Sequence, residues 1–206
     1  MERNRFIAQL RSRMPTTTRK PVYVDDRVQR RLSPDACLAL FLERATAALS
    51  HVHVCESIEK AASIIDSIIA NESYVDTGCR RFARVLDSLS VRSERSLASD
   101  RDVTFGISEA RFGVALTGTC VIDSTQHRGG TLLPPRHIIL IDASDIVEDL
   151  HAAYARVAES LQVNRTSVFA FHTGPSRSAD IEQTMALGVH GPGNVHIVVF
   201  AIPSLQ

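Results

Sequence analysis

The residues with the clearest potential for chemistry lie between positions 169 and 183. An apolar run ends there at the turn Thr173-Gly174-Pro175-Ser176, and an amphipathic helical pattern follows at once. We therefore predict a helix that begins near Ser176, with its first backbone N–H groups and the positive end of its dipole facing outward. A helix start of this kind suits an anionic ligand, and Arg177 adds a bidentate donor for a carboxylate or a phosphate.

The same segment also has a purely structural interpretation. Asp180 and Glu182 lie near the start of the predicted helix, where a carboxylate stabilises the helix dipole. Ser176 is a typical capping residue. A capped connection between a strand and a helix needs nothing more, so the spacing alone leaves both interpretations open.

Two other turns carry side chains that could join the same site. Thr117-Gly118-Thr119 offers two hydroxyl groups, and its glycine would let a ligand approach closely. Arg136 follows two prolines and could hold an anion. The structural alternatives are a β-turn for the first group and a surface arginine for the second.

Two histidines lie next to these turns. His172 ends an apolar strand just before Thr173, where a core histidine and a site histidine are equally plausible; imidazole titrates near neutrality and could act as an acid or a base. His190 lies in a glycine-rich turn whose glycine order is not that of a dinucleotide-binding motif. That turn would bring His190 near residues 173–176 if the two segments pack together.

The sequence contains one pair of residues with metal-ligand spacing. His51 and His53 lie two positions apart on a strand pattern and face the same way, which makes half of a metal site without a third ligand nearby in the sequence. The four cysteines are scattered and form no Cys-x-x-Cys pair, so neither an iron–sulfur cluster nor a structural zinc site is indicated. We expect no metal and no bound cofactor.

Composition narrows the class of protein. The 206 residues are 44% apolar, and Lys plus Arg equals Asp plus Glu at 23 each, so a basic nucleic-acid-binding surface is not indicated. No apolar run has the length of a membrane span, and the start resembles no secretory signal. We expect a cytoplasmic protein with an arginine-rich arm or helix over residues 1–20 and one domain over residues 21–206, and we leave a homo-oligomer open.

The elements that would position these residues form an α/β pattern. Ser33-Pro34 is typical of a helix start, and we expect that helix to run to about Leu49. In the second half, apolar strands alternate with helices predicted over residues 144–161 and 176–187. This order predicts a mostly parallel central sheet flanked by helices on both faces. In such sheets, ligands bind outside the carboxyl ends of the strands, which we expect to lead into residues 173–176 and 142–144.

Three ordered blocks of the sequence resemble the LUD-domain family, in particular its lactate-utilization protein C group. The first runs from Thr173 through Glu182 and continues with Leu-Gly-Val-His-Gly-Pro at residues 187–192. The second is Leu-Thr-Gly-Thr at residues 116–119, and the third is Leu-Leu-Pro-Pro-Arg-His-Ile at residues 132–138. The chain departs from the family at Leu116, where relatives commonly carry an acidic residue.

The resemblance implies a fold and a function. The family shares the fold of ribose-phosphate isomerase, the CoA transferases and formyltetrahydrofolate cycloligase. Its members take part in oxidising lactate to pyruvate, and this chain would be the component of an iron–sulfur lactate-oxidation system that lacks the clusters. The partners implied are the iron–sulfur subunits and a small anionic metabolite, held between residues 117–119 and residues 173–177 with help from Arg136 and His190.

Two other functions stay open, and so does catalysis itself. The chain could be an enzyme of the CoA-transferase-like superfamily acting on an organic acid or a phosphorylated metabolite. Asp180 or Glu182 would then be the base or nucleophile and His190 a further catalytic candidate, although Leu116 removes one carboxylate. It could also be a binding module that senses an organic acid.

Overall fold

The computed structural model describes residues 32–70, 72, 74–90, 103–126, 128–163, 168–179, 185–187 and 191–201. Contacts divide the chain into Met1–Arg30 and Arg31–Gln206, and the described residues all belong to the second unit. The expected N-terminal arm and the candidates Asp180, Glu182 and His190 lie outside the described residues.

The second unit alternates helices and strands. Its helices are α1 (Pro34–Ala47), α2 (Ile58–Ile69), α3 (Ala83–Asp87), α4 (Arg128–Leu132) and α5 (Leu150–Val163). Its strands are β1 (His51–Cys55), β2 (Tyr74–Asp76), β3 (Phe105–Glu109), β4 (Phe112–Val114), β5 (Thr119–Asp123), β6 (Arg136–Asp142), β7 (Ile146–Val147), β8 (Phe169–His172), β9 (Arg177–Ala179), β10 (Met185–Leu187) and β11 (Asn194–Phe200).

The central sheet has five strands in the order β1-β11-β6-β3-β2, and every neighbouring pair is parallel. Its middle strand β6 is apolar on both faces. Ile138 and Leu140 pack towards α2 and α3, whereas Ile139 and Ile141 pack towards α1 and the second sheet. The predicted parallel sheet flanked by helices is confirmed.

A second sheet covers one face of the first. Its order is β7-β4-β5-β8, with antiparallel pairing of β5 to both β4 and β8. The turn between β4 and β5 is too short for a parallel crossover, so these strands cannot join the central sheet as its parallel members. Helix α5 packs Ala153 against Phe112, Val114 and Val121 on the outer face.

Both early helices begin after a capping serine, and the first of these is the predicted Ser33. The Ser33 hydroxyl accepts the Ala36 N–H at 3.2 Å, and the Ser57 hydroxyl accepts the Lys60 N–H at 3.1 Å. Helix α1 ends at Ala47 because the chain then turns through Leu49, whose φ of 69° is left-handed. These starts follow from capping, which is local in the sequence.

The prediction of a helix over residues 176–187 is wrong. Residues 177–179 form β9 and pair antiparallel with β10, with Arg177 opposite Leu187. The Ser176 N–H donates to the Pro192 carbonyl at 2.8 Å, so it is not a free donor at a helix start. Pairing between the two arms of this segment replaces the local helical tendency.

The helix predicted over residues 144–161 starts later than expected. Asp142 caps a short 3-10 turn, Ala143–Asp145, and Ile146–Val147 then pairs with β4. Helix α5 begins only after Asp149, whose carboxylate accepts the N–H groups of His151 and Ala152. Within the described residues, no helix combines the length and hydropathy that a membrane span requires.

Candidate functional site

Two of the predicted turns meet through a row of threonine hydroxyls. The Oγ1 atoms of Thr117 and Thr119 are 2.7 Å apart, and those of Thr119 and Thr173 are also 2.7 Å apart. Thr119 is buried between the other two, whereas Thr173 is exposed. The β4–β5 turn and the segment after β8 are therefore in contact, as expected for residues 117–119 and 173.

Glycine is needed in both turns because each lies against the carboxyl end of α1. Gly118 and Gly174 have φ angles of 63° and 71°. A Cβ at Gly118 would lie 2.2 Å from the Ala45 nitrogen, and one at Gly174 would lie 2.0 Å from the Ala48 oxygen. Only a residue without a side chain allows this approach.

Arg177 joins the same place through its guanidinium. Its Nη2 donates to the Ala48 carbonyl at 2.9 Å, and a cation at this end of a helix is favoured by the dipole. An arginine side chain carries five N–H donors. The bond to Ala48 is the one hydrogen bond that the Arg177 side chain makes to a described residue. The side chain is exposed, so solvent reaches its remaining N–H donors while the bond to the Ala48 carbonyl is kept.

Ser176 connects these turns to the start of β6. A Cβ at Gly191 would lie 3.2 Å from the Ser176 Cβ. The Gly193 N–H donates to the Pro135 carbonyl at 2.9 Å. Residues 191–193 therefore link the 173–176 turn to the residue before Arg136.

Arg136 itself lies apart from the threonines. Its Nη2 is 2.5 Å from the Glu72 carboxylate, and its guanidinium lies 4.3 Å from the centre of the Phe105 ring. Phe105 belongs to the core under α2 and α3, on the face of the sheet opposite α1. The structure therefore separates Arg136 from the residues with which it was expected to act.

The turns lie at the amino edge of the central sheet. The 173–174 turn contacts the end of α1, which leads into β1, while residues 191–193 and Pro135 lead into β11 and β6. The expectation that residues 173–176 lie at the carboxyl edge is wrong because β8 belongs to the second sheet. The nearby helix end is a carboxyl end, which disfavours anions, so attraction for an anion depends on Arg177.

A buried polar chain was missed in the sequence. His137 Nε2 is 2.9 Å from the Ser108 hydroxyl, which is 3.1 Å from the Thr77 hydroxyl, and Thr77 bonds Gln126 at 2.9 Å. Burial and the nearby His172 lower the pKa of His137 to about 3. The imidazole stays neutral, and single polar residues within apolar strands give no sequence signal for such a chain.

His172 faces this chain from the second sheet. Its ring makes an edge contact with that of His137, with 5.6 Å between centroids, and burial lowers its pKa. His172 lies opposite Cys120 on β5, whereas Thr173 bonds Thr119, the next residue along the strand. Because alternate residues of a strand face opposite sides, the imidazole and the threonine hydroxyls lie on different faces.

The carboxyl edge of the central sheet carries a second polar group. Arg81 forms ion pairs with Asp142, at 2.8 Å, and with Asp145, and its backbone N–H donates to Glu109 at 2.9 Å. Burial raises the pKa of Glu109, although the Arg81 N–H and the charge of Arg111 oppose this. Residues 142–144 thus lie at this edge as expected.

A small cleft of about 60 Å³ lies at the far end of β5. It is lined by Ile122, Asp123, Ser124, Gln126, Thr131, Leu132, Val168 and Ala170. Thr119 begins β5 and Asp123 ends it, which separates the two places by roughly 13 Å at 3.3 Å per residue. The cleft is therefore not part of the threonine site.

A third histidine lies against the predicted pair His51 and His53. His196, on the neighbouring strand β11, lies directly opposite His51 and bonds His53. Among the described residues, no three histidine, cysteine or acidic side chains are arranged to hold a metal ion. His196 escaped sequence reasoning because it lies 143 residues from His53.

Comparisons with known proteins match most of the described region. The model of the LUD domain matches residues 38–200. A lactate utilization protein C from Oceanobacillus iheyensis is 32% identical over 171 residues, which are 77% of this chain and 72% of that protein. That of Bacillus subtilis is 31% identical over 105 residues, which are 49% of this chain and 44% of that protein.

Other relatives match over a shorter part of their length. An uncharacterized protein of Neisseria meningitidis is 38% identical over 105 residues, which are 49% of this chain and 43% of that protein. Matches to two Geobacillus lactate utilization proteins C span 41% of each relative. For these proteins, the chain therefore corresponds to less than half of the relative.

One solved structure supports the fold. A DUF162 family protein from Deinococcus radiodurans aligns with a TM-score of 0.66, covering 82% of this chain and 99% of the other. The sequences are 20% identical, so the likeness concerns the fold alone.

Proposed function

Because the chain belongs to the LUD-domain family, we propose that it takes part in oxidising lactate to pyruvate and binds a small carboxylate beside Arg177. It would be the component without clusters in an iron–sulfur lactate-oxidation system. The relatives named lactate utilization protein C support the general role. The place in an iron–sulfur system is what the family resemblance implies, and the carboxylate site is inferred from this chain's own residues.

The observation that carries the ligand proposal is the convergence at the end of α1. Arg177 is exposed, donates one hydrogen bond to a neutral carbonyl and forms no ion pair with a described carboxylate. The hydroxyls of Thr117 and Thr173 lie in the adjoining turns and are linked through Thr119. A guanidinium at the same helix end as two turns that carry hydroxyl groups is suited to a carboxylate of the size of lactate or pyruvate.

The cysteines support the proposal of a cluster-free component. Cys37, Cys55, Cys79 and Cys120 are all buried. They are divided between the two faces of the central sheet, and burial raises the pKa of Cys37, Cys55 and Cys120. Iron–sulfur clusters need several thiolates around one point, which these buried thiols do not provide.

The experiment is a calorimetric titration at pH 7.5 with lactate, pyruvate, acetate and phosphate. Wild type should bind at least one carboxylate, and Arg177→Gln should weaken that binding at least about tenfold, the effect of losing about 1.4 kcal/mol. Thr173→Val, which removes one hydroxyl, should weaken it less. Arg156→Gln alters an exposed arginine on α5 and should bind like wild type.

Circular dichroism on each variant separates lost binding from lost folding. The proposal fails if wild type binds none of the four anions, or if Arg177→Gln binds as tightly as wild type. A neighbouring gene for a cluster-bearing subunit would support the assembly, and copurification of the two proteins would test it.

A carboxylate at the other edge favours a second function. Glu109 ends β3 at the carboxyl edge, and its raised pKa is common among acid–base residues. This favours an enzyme of the CoA-transferase-like class acting on an organic acid, with Glu109 in place of the undescribed Asp180 and Glu182. Turnover of an acyl-CoA with an organic acid by wild type, lost in Glu109→Gln, would support it.

A further inference from the structure

Three histidines join the edge strand β1 to β11, and we refer to His51, His53 and His196 as the histidine trio. The Nε2 of His53 and the Nδ1 of His196 are 3.2 Å apart. The His196 ring stacks on that of His51 with 4.8 Å between centroids, and the His53 ring lies 5.5 Å away. The trio therefore adds side-chain contacts to the backbone ladder of an edge strand.

The His53–His196 bond depends on the protonation of both rings. One nitrogen must donate and the other must accept, so two neutral imidazoles can form it, whereas two imidazoliums would turn N–H groups towards each other. Burial lowers the pKa of His53, with a further contribution from His51. Burial, His51, His53 and Arg136 together lower the pKa of His196 to about 4.

The groups around the trio do not compensate a positive charge. Arg136 on β6 is itself a cation, paired with Glu72. Helix α2 packs on the same face and carries Glu59, Lys60 and Asp66. In the part of the chain that the structure describes, no ion pair or hydrogen bond joins any of these carboxylates to the trio, and Asp66 accepts the Ser90 N–H instead.

The trio lies next to the proposed carboxylate site along the chain. Ala48, whose carbonyl accepts Arg177, is followed by Leu49 in a left-handed conformation, by Ser50 and by His51. The Ser50 N–H is bonded to the Ala45 carbonyl at 3.0 Å. Because this connection is short and bonded at both ends, displacement of the start of β1 would also move Ala48.

We propose that the histidine trio is an acid-sensitive fastening, which holds β1 on β11 at neutral pH and thereby keeps the Ala48 carbonyl in place under Arg177. The part of this proposal that concerns regulation of ligand binding rests on the proposed function. On acidification His53 and His196 take up protons, the start of β1 loosens, and the carboxylate site loses its support. Ligand affinity then falls as pH falls.

Hydrogen exchange tests the fastening without any ligand. Amides of residues 50–55 should exchange faster at pH 5.0 than at pH 7.5, after correction for the intrinsic rates. A histidine whose pKa rises from about 4 to 6.5 on opening changes the opening equilibrium by at most about 30-fold at pH 5. Amides of β6, which stays paired with β3 when β1 opens, should exchange more slowly than those of residues 50–55 at both pH values.

Two amide substitutions provide a matched variant. In the double variant His53→Gln and His196→Asn, amide groups can replace the Nε2 and Nδ1 positions, so the bond is retained without titration. This variant should lose the pH response of β1. His151→Gln alters an exposed histidine on α5 and should respond like wild type. If the double variant does not fold, His51→Gln provides a milder test and should show a smaller response than wild type.

The outcomes separate this inference from the proposed function. Equal acceleration in wild type and the folded variant would overturn the fastening, and so would amides of residues 50–55 that exchange no faster than those of β6 at pH 5.0. A lactate and pyruvate titration at both pH values tests regulation. If wild type binds neither at pH 7.5, the proposed function and the regulatory part fail, while exchange still decides whether the trio fastens β1. If affinity is unchanged at pH 5.0, the regulatory part is wrong.

Discussion

The two edges of the central sheet differ in how their charges are compensated. At the carboxyl edge, Arg81 forms ion pairs with Asp142 and Asp145, and the buried Asp123 is 3.2 Å from Arg111. At the amino edge, Arg136 is paired with Glu72, but Arg177 is bonded to a neutral carbonyl. An anion at the carboxyl edge would have to displace a carboxylate, whereas one at Arg177 meets a guanidinium that has no carboxylate partner among the described residues.

This difference shows that the usual ligand-binding edge of a fold is not always the edge whose arginines are available to an anion. The carboxyl edge is where ligands of open α/β sheets usually lie. In this chain its cations already have acidic partners, and the turns that match the family blocks lie at the opposite edge. We therefore expect the two edges to respond differently to acid, to steric change and to charge removal.

The largest expected effect is acid destabilisation. Histidines whose pKa is lowered by folding take up protons more readily when unfolded, so their contribution is complete above pH 6.5 and is lost as pH falls through 6.5 towards 4 for His196 and 3 for His137. Each histidine can cost up to about 1.4 kcal/mol per pH unit, less where water reaches the ring. Urea unfolding at pH 7.5, 6.0 and 5.0 should show this loss, and a smaller one in His196→Asn; a flat profile in wild type would contradict it.

The next largest effect on the unfolding free energy should come from a steric change. Gly118→Ala would place its Cβ 2.2 Å from backbone of α1, in addition to the strain of a positive φ, so we expect a loss of about 2–4 kcal/mol in unfolding free energy. Gly78→Ala is the matched control, since its φ of 108° is strained but nothing lies within 4 Å of the added Cβ. It should cost about 1 kcal/mol. Equal losses would show that the turn does not press on α1.

Removal of an arginine charge should lower the unfolding free energy more at the carboxyl edge than at the amino edge. Arg81→Ala leaves Asp142 buried without its cation, which should cost about 1–3 kcal/mol. Arg177→Ala removes one bond at an exposed helix end and should cost about 0.5–1 kcal/mol. Thermal unfolding of both variants tests this order. The reverse order would mean that the Arg177 bond is structural rather than available for a ligand.

The smallest effect should have the opposite sign. Glu109 is an acid whose pKa is raised by burial, so its contribution favours folding below about pH 4.5 and is lost as pH rises. Glu109→Gln should therefore raise the unfolding free energy at pH 7.5 by up to about 1 kcal/mol, and the advantage should shrink at pH 4. Destabilisation at pH 7.5 would show that the ionised carboxylate is needed by its neighbours.

The sequence carried enough information for those elements whose causes are local. Ser33 and Ser57 identify helix starts because a capping side chain acts on residues three positions away. The apolar residues of β6 and β11 indicate a sheet covered on both faces. The turn at Gly118 also follows from its neighbours, and the threonines were correctly expected to approach residue 173.

The errors concern partners that are distant in the chain. Residues 177–187 have a helical pattern, but pairing of β9 with β10 replaces it. The edge at which residues 173–176 lie depends on which sheet β8 joins, and this is decided by its pairing with β5. His196 likewise meets His53 only through the β1–β11 ladder. Local propensity does not contain these contacts.

The most direct test of the carboxylate site is a pyruvate titration followed in ¹H–¹⁵N correlation spectra at pH 7.5. We expect saturable shifts that are largest for amides of residues 117–119, 173–177 and 48–50, and that disappear in Arg177→Gln while persisting in Arg156→Gln. Shifts centred on Glu109 and Asp142, or on the cleft at residues 122–126, would move the site elsewhere. Saturating pyruvate without any shift would contradict the account.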